Sequence, residues 1–278
     1  MRSQLFFILA ISQCGQAVGA QVCDDEVQKV NSGTLVANLF LPKTEKKVPV
    51  VIAIGGSEGG ISTGNANGEM IAPHCIAVLG LAYFKEKGLP ATLDHIPLEY
   101  FIDAVDYLTT IPTLDPTKIG IVGGSRGAEL ALLLASMEPR IKSVVATTPS
   151  SVAWYGRTTA SSAWTIKGKD IPALRLGPDG PAPAVRRFEV ALENQDEVKK
   201  AFFAVENIRG PIFLVSAEND QVWPSHQMAM NIETYLKEHN FKHAVVHKSY
   251  PTGHGFSAAT APEIKQSIID HFIRTLGH

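Results

Sequence analysis

The sequence predicts an α/β fold with a mostly parallel central sheet flanked by helices and with a cap or lid insertion. Short apolar runs rich in β-branched residues alternate with helical stretches, which is typical of a parallel sheet covered on both faces. One long segment rich in Gly, Pro, Ser and Thr interrupts this alternation. The chain has 278 residues, 45% of them hydrophobic, which is enough for one large core.

Seven apolar runs and three further stretches define the expected elements. The runs are short and bounded by turn residues, as strands are; they cover residues 34–41, 48–54, 77–83, 119–122, 143–147, 212–216 and 244–250. In residues 97–110 the apolar side chains recur at helical spacing, which predicts an amphipathic surface helix. The other predicted helices cover residues 225–239 and 262–276.

The N-terminus has the pattern of a signal peptide over residues 1–20. Arg2 precedes an apolar run at 5–11, and Val18-Gly19-Ala20 provide a small-residue cleavage site. The run is shorter than the roughly 20 apolar residues that span a bilayer. The alternative to a signal peptide is that this N-terminal stretch forms an ordinary buried strand or helix. We expect a secreted or periplasmic protein with no stable membrane span, in which residues 21–278 form a single domain.

Removal of that segment would leave two cysteines, Cys23 and Cys75. An even pair in an oxidising compartment can form a disulfide. The alternative is two free thiols, with Cys75 buried as a small hydrophobic residue. The sequence leaves both open.

Charge and composition argue against some partners. The 25 basic and 27 acidic side chains nearly cancel, and the sequence has no Lys/Arg-rich tract that would neutralise a run of phosphates. Nucleic acid is therefore not an expected partner. No group of His, Cys and Asp has metal-ligand spacing, so we expect neither metal nor organic cofactor. The oligomeric state stays open.

The strongest motif is G-x-S-x-G at residues 123–127, between a predicted strand and an apolar helical run. This pattern presents a nucleophile on a tight turn at the end of a strand, and is typical of the α/β-hydrolase fold. Gly123 and Gly127 leave room for neighbouring backbone. We predict that Ser125 is the nucleophile; the alternative is a chance glycine turn.

A nucleophilic serine needs an acid and a base, which follow it in that order in this fold. Asp220 follows the predicted strand 212–216 and is the expected acid. Glu218 is the second choice, and capping of the next helix is the structural alternative for Asp220. His254 lies in a glycine-flanked loop after the last predicted strand and is the expected base. The histidines that remain as minor candidates for the pocket are His74, His95 and His226.

The oxyanion hole is expected to use backbone N–H groups. One comes from Arg126, and the other from Gly56 or Ser57 in the glycine-rich loop after strand 48–54. Read alone, this loop would suggest a phosphate cradle, but it lacks the Gly-Lys-Ser/Thr ending.

The segment 149–209 is the predicted cap or lid. Loops over this edge of a sheet commonly contact substrate, and Trp154 and Tyr155 within the segment, with Trp223 after the acid, are candidates to line an acyl pocket. The alternative is that these aromatic residues anchor a long loop to the core.

Several segments spread over nearly the whole chain carry a family resemblance. They are GGSEGG at 55–60, VLGLAYF at 78–84, GSRGAE at 124–129, NDQVWPS at 219–225 and YPTGH at 250–254. In these segments the sequence resembles the C-terminal catalytic domain of the bile acid-CoA:amino acid N-acyltransferases and acyl-CoA thioesterases.

The resemblance implies a nucleophile, acid and base at Ser125, Asp220 and His254, and hydrolysis or transfer of acyl thioesters. Transferase members carry Cys at the nucleophile, so Ser125 favours hydrolysis. The expected partner is a small-molecule acyl ester or thioester. An exported enzyme would meet little coenzyme A, which favours the alternative of a carboxylic ester hydrolase similar to the dienelactone hydrolases. A non-catalytic binding protein of the same fold is the third alternative.

Overall fold

The computed structural model describes residues 22–158, 160–177 and 183–277. The predicted signal peptide lies outside the described residues. The strands are Asp25–Lys29 (β1), Val36–Pro42 (β2), Val48–Ile54 (β3), Ala77–Ala82 (β4), Ile96–Pro97 (β5), Leu114–Gly124 (β6), Ile141–Thr147 (β7), Trp164–Ile166 (β8), Lys169–Asp170 (β9), Ile212–Ala217 (β10) and Val245–Tyr250 (β11). The α-helices are Ser62–Ile71 (α1), Glu99–Thr109 (α2), Arg126–Met137 (α3), Ala184–Leu192 (α4), Gln195–Ala201 (α5), Ser225–Glu238 (α6) and Ala261–Leu276 (α7).

Eight strands form the central sheet in the order β1-β2-β4-β3-β6-β7-β10-β11. The pairs β1/β2 and β2/β4 are antiparallel, and all pairs from β4 to β11 are parallel. All seven residues of β3 are buried, because apolar side chains from helices cover both faces of the sheet. This is the α/β-hydrolase arrangement, and the predicted fold class is confirmed.

Each face of the sheet has its own apolar layer. Residues of α2, α3 and α6 pack on one face, with Phe101 and Leu132 among them. Residues of α1 and α7, including Phe272, pack on the other. Within the described residues, no helix is both long and apolar enough to cross a bilayer.

The seven predicted strands and three predicted helices are confirmed, with ends shifted by a few residues. The first strand is β1, which was not predicted because its sequence, DEVQK, is mostly polar and exposed. Helix α1 was also not predicted, because glycines make its contacts with the sheet. A Cβ added to Gly64 would lie 2.9 Å from Gly80 Cα, so helix and strand touch through backbone.

The predicted lid segment contains regular structure between β7 and β10. Strands β8 and β9 join β5 in a small three-stranded sheet, and α4 and α5 follow. The Trp164 ring in β8 lies 5.8 Å from Tyr83 and 6.4 Å from Phe101, both of which belong to the main core. Aromatic packing of this kind attaches the segment to the body of the protein.

Cys23 and Cys75 form a disulfide with a Cα–Cα distance of 5.2 Å. The sequence left this pairing open. The bond attaches the segment before β1 to the turn after α1, where Cys23 N–H also donates to Pro73 O.

Buried His271 predicts a pH dependence of stability. Its Nε2 lies 3.0 Å from Ser143 Oγ, its Nδ1 is buried without a partner in the described structure, and burial lowers its pKa from 6.5 to about 4. Between these values the unfolded chain binds the extra proton, so stability falls as the pH drops. We expect a slope of up to about 1.4 kcal/mol per pH unit from this group.

The measurement is urea denaturation of wild type, His271→Gln and His243→Gln from pH 7 to 4. His243 is exposed and serves as the matched control. The difference in stability between pH 7 and pH 4.5 should shrink in His271→Gln and stay unchanged in His243→Gln. Parallel pH curves for all three proteins would contradict the prediction.

Candidate active site

Three of the predicted site residues lie beyond the carboxyl ends of parallel strands. Ser125 follows β6, Asp220 follows β10, and His254 follows β11. Because these strands run parallel in one sheet, their carboxyl ends meet at one edge, where ligand sites in such sheets are found.

Ser125 lies on a strained turn between β6 and α3. Its backbone angles are φ 55° and ψ −122°, a region that costs energy for a residue with a side chain. Its N–H donates to Thr147 O at 2.9 Å. A Cβ at Gly123 would lie 2.1 Å from Gly127 O, so glycine is needed for the close backbone contact that the motif predicted.

His254 and Asp220 are hydrogen-bonded. His254 Nδ1 lies 2.9 Å from Asp220 Oδ1 and 2.8 Å from Oδ2. This contact leaves Nε2 as the ring nitrogen that can exchange a proton with a substrate or a hydroxyl. The Ser125 hydroxyl makes no hydrogen bond with His254 in the described part of the chain; such bonds often tighten only when substrate is present.

The Asp220 carboxylate is held by its own loop. It accepts the backbone N–H groups of Val222 at 2.9 Å and Trp223 at 3.2 Å. The Ser225 hydroxyl donates to it at 2.6 Å from the first residue of α6. Its side chain is 1% exposed. Sequence reasoning missed Ser225, although it belongs to the NDQVWPS segment.

The alternative site residues lie elsewhere. Glu218 accepts a hydrogen bond from Ser249 Oγ and is exposed. His95 contacts Ser161 in the lid segment. His226 lies beside His247, with a ring-centroid distance of 5.6 Å. The hydrogen-bonding partner of His254 is thus Asp220 rather than Glu218.

The glycine-rich loop after β3 lies against Ser125. A Cβ added to Gly56 would be 3.2 Å from Ser125 Cβ. The N–H of Gly56 donates to Glu58 Oε1 at 2.8 Å, and the same oxygen accepts from Thr63 Oγ1. The N–H of Ser57 has no acceptor among the described residues. The role of Glu58 had no signal in the sequence, since it arises from the fold of the loop.

A buried ion pair joins α3, the helix that follows Ser125, to the lid segment. Arg126 Nη1 lies 2.7 Å from Glu129 Oε2, and their side chains are 7% and 0% exposed. Glu129 Oε1 accepts the backbone N–H of Trp154 and Nε1 of Trp164. Arg126 Nη2 donates to Tyr155 O at 2.9 Å. Burial raises the pKa of Glu129, and Arg126 opposes that rise.

The three aromatic candidates for the pocket have different surroundings. Trp154 and Trp223 are both 1% exposed and contact the Phe188 ring edge-on. The Trp223 ring lies 5.8 Å from the His254 ring in an edge-on contact. Tyr155 is half-buried and lines a cavity in the lid segment.

Comparisons with known proteins show the family of this chain. Residues 96–274 match the family model described as "BAAT / Acyl-CoA thioester hydrolase C terminal". Acyl-coenzyme A thioesterase 1 from Homo sapiens is 28% identical over 243 residues, which cover 87% of this chain and 56% of that protein. Acyl-coenzyme A amino acid N-acyltransferase 1 from Mus musculus is 30% identical over 220 residues, 76% of this chain and 49% of that protein.

The chain spans about half the length of these curated relatives. Among solved structures, dienelactone hydrolase from Anabaena variabilis is similar with a TM-score of 0.58. The match covers 91% of this chain and 99% of that one at 17% identity. At this identity the likeness shows the fold alone.

The ion pair between Arg126 and Glu129 predicts a large stability loss when one partner is changed. Glu129→Gln leaves the Arg126 charge buried without its carboxylate, and we expect the free energy of unfolding to fall by about 3–5 kcal/mol. The exposed pair of Arg186 and Glu189 offers a matched control; Glu189→Gln should cost less than about 1 kcal/mol.

Urea denaturation followed by tryptophan fluorescence checks this expectation. All three tryptophans of the chain are buried, and Trp154 and Trp164 contact Glu129 directly. Equal denaturation midpoints for Glu129→Gln and Glu189→Gln would show that the buried pair contributes no more to stability than the exposed pair.

Proposed function

Since the chain belongs to the family of BAAT and acyl-CoA thioester hydrolase C-terminal domains, we propose that it is a hydrolase that cleaves acyl thioesters through Ser125, His254 and Asp220. The observation that carries the proposal is the His254–Asp220 hydrogen bond at the sheet edge where the strained Ser125 turn also lies. No cofactor takes part in the proposed reaction.

The proposed reaction has two steps. His254 Nε2 takes the hydroxyl proton as Ser125 Oγ attacks the acyl carbonyl, and the leaving thiol departs with that proton, which leaves an acyl-enzyme ester. His254 then takes a proton from water, whose oxygen attacks the ester, and returns it to Ser125 Oγ as the carboxylic acid leaves. Asp220 stabilises the imidazolium in both steps.

We assign the oxyanion hole to the backbone N–H groups of Ser57 and Arg126. Gly56 was an equal choice on sequence grounds, but its N–H already donates to Glu58. That bond holds the loop in place beside Ser125, so that the neighbouring N–H is oriented before substrate arrives. Donors fixed in this way stabilise the developing charge without reorganisation.

Hydrolysis is favoured over acyl transfer by the nucleophile. The relatives include proteins named as thioesterases and one named as an N-acyltransferase, and the resemblance associates a cysteine nucleophile with transfer. This chain has Ser125 at that position.

The second candidate is a secreted or periplasmic carboxylic ester hydrolase. The Cys23–Cys75 disulfide favours it, because disulfides persist in oxidising compartments where coenzyme A thioesters are scarce. The same Ser125, His254 and Asp220 would act on an oxygen ester.

Turnover by the purified protein tests the reaction. We expect Ser125→Ala to lower kcat by about 10⁴-fold or more, because the hydroxyl forms the covalent bond. Wild type and variant are compared on acyl-CoA and p-nitrophenyl esters of equal acyl length. Preference for the thioester supports the thioesterase, and ester-only turnover supports the second candidate. Undiminished activity in a folded Ser125→Ala protein would overturn both.

A matched pair of carboxylates provides the control for the acid. Asp220→Asn should lower kcat by about 10⁴-fold through loss of imidazole orientation. Glu218→Gln changes an exposed carboxylate two residues away and should leave kcat within about twofold. Equal effects of the two changes would contradict the role of Asp220.

Export is tested on the full-length gene product in cells that secrete proteins. We expect an N-terminus near Gln21 in the extracytoplasmic fraction, because the signal pattern ends at Ala20. We also expect the mobility on non-reducing gels to change in Cys75→Ser, which removes the disulfide. Cys14→Ser should leave it unchanged, because Cys14 lies in the predicted signal peptide and is removed with it. A cytoplasmic chain that retains Arg2 would contradict export.

A further inference from the structure

A buried tyrosine contacts the glycine-rich loop, and the proposed reaction gives it no role. Tyr83 directly follows β4 and is 2% exposed. Its ring packs against the rings of Phe84, Phe101 and Trp164, with centroid distances of 5.0, 5.5 and 5.8 Å. Aromatic packing of this kind holds the ring in place, so it also fixes the position of the hydroxyl group.

The Tyr83 hydroxyl contacts two consecutive carbonyl groups of the glycine-rich loop. It donates to Gly55 O at 3.0 Å and lies 3.3 Å from Gly56 O, so its one proton is shared between them. A Cβ added to Gly127 would lie 2.5 Å from the same Gly55 oxygen, which therefore also packs against the G-x-S-x-G turn. Burial raises the pKa of the Tyr83 hydroxyl well above its usual range, so the group remains a donor at neutral pH.

Both ends of the peptide group between Gly55 and Gly56 are hydrogen-bonded. Its carbonyl oxygen accepts from the Tyr83 hydroxyl, and its N–H donates to Glu58 Oε1 at 2.8 Å. Because a peptide group is planar, bonds at its two ends together fix the rotation of the plane. The plane can turn only if one of these bonds breaks.

The next peptide group ends in the N–H of Ser57, which we assigned to the oxyanion hole. Its carbonyl, Gly56 O, accepts the N–H of Gly59 at 3.3 Å in addition to its contact with Tyr83. Every peptide bond in the described part of the chain is trans, so the C=O and N–H of one group point in opposite directions. The Ser57 N–H therefore points away from Tyr83 and from the core that surrounds its ring.

We propose that Tyr83 is a positioning residue for the oxyanion hole, because its hydroxyl holds the two carbonyl groups that set the direction of the Ser57 N–H. This role rests on the proposed hydrolase function. Tyr83 is buried and acts through the loop rather than on the substrate. A donor that is oriented before the reaction stabilises the developing charge more than one that must first turn. Loss of the hydroxyl should thus affect the transition state more than the bound substrate.

Tyr83→Phe removes the hydroxyl and keeps the ring. The matched control is Tyr100→Phe, because the buried Tyr100 hydroxyl also bonds only backbone: it donates to Ala82 O at 2.7 Å and accepts the N–H of Val36 at 3.0 Å. An effect of lost stability alone should be alike in the two variants. Glu58→Ala is a second test of the same peptide group from an exposed side chain.

Steady-state kinetics on the ester or thioester that wild type hydrolyses best test the proposal. We expect Tyr83→Phe to lower kcat by about 10- to 100-fold with KM within about twofold, less than the loss of a whole oxyanion donor. Tyr100→Phe should keep kcat within about twofold of wild type. Unchanged kcat in Tyr83→Phe, or equal losses in the two tyrosine variants, would overturn the proposal. Where Tyr83→Phe does not fold, an unchanged kcat in Glu58→Ala overturns it.

A trifluoromethyl ketone with the acyl chain of that substrate isolates the oxyanion. Ser125 Oγ forms a bond to its carbonyl carbon, the Ser125 proton passes to His254, and the carbonyl oxygen becomes the anion. The inhibition constant of the ketone should rise in Tyr83→Phe by the factor by which kcat/KM falls. The corresponding alcohol forms no such adduct, and its inhibition constant should not change. Equal affinity of wild type and Tyr83→Phe for the ketone would count against the role of Tyr83.

Amide hydrogen exchange, followed by NMR on the full chain, tests the positioning without turnover. The Gly56 N–H should exchange about tenfold faster in Tyr83→Phe, since loss of one hydrogen bond frees its peptide plane, and at the wild-type rate in Tyr100→Phe. An unchanged rate in Tyr83→Phe overturns the positioning role. Absence of turnover in wild type would overturn the hydrolase proposal instead, and faster exchange at Gly56 would leave the hold of Tyr83 on the loop standing.

Discussion

The buried carboxylate of Glu129 joins α3 to the lid segment, because it accepts hydrogen bonds from the Trp154 N–H and from Trp164 Nε1. A buried charge on Glu129 is tolerated because Arg126 Nη1 lies 2.7 Å from Glu129 Oε2, and this attraction offsets the loss of hydration. Because Arg126 directly follows Ser125 in the chain, its ion pair with Glu129 also connects the Ser125 turn to Trp154 and Trp164. Separation of the Ser125 turn from the lid segment would therefore break the contacts that compensate a buried charge.

The geometry around Ser125 is built from backbone contacts that small residues permit. The turn holds a strained conformation, and its neighbours Gly123 and Gly127 approach more closely than a Cβ would allow. Glu58 holds the glycine-rich loop in place by accepting the Gly56 N–H. The Ser225 hydroxyl holds the Asp220 carboxylate by donating a hydrogen bond to it. Groups held in place before substrate arrives lower the cost of reaching a reactive arrangement, since little reordering remains.

The lid segment adds further structure to a widespread scaffold. The sheet and its edge are shared with a dienelactone hydrolase at 17% identity, so they say little about substrate. The segment between β7 and β10 instead contains β8, β9, α4 and α5.

The sequence by itself predicted seven of the eight strands of the central sheet, the helices α2, α6 and α7, and the places of Ser125, Asp220 and His254 after their strands, because apolar periodicity and the G-x-S-x-G turn are local patterns. It did not reveal α1, whose contacts are made by glycines such as Gly64, and it left Gly56 and Ser57 equivalent. Only the tertiary structure showed that the Gly56 N–H donates to Glu58 and that Glu129 accepts hydrogen bonds from Trp154 and Trp164. The contacts of Glu129 join residues far apart in the chain, and their energies depend on burial and distance, which no local pattern encodes.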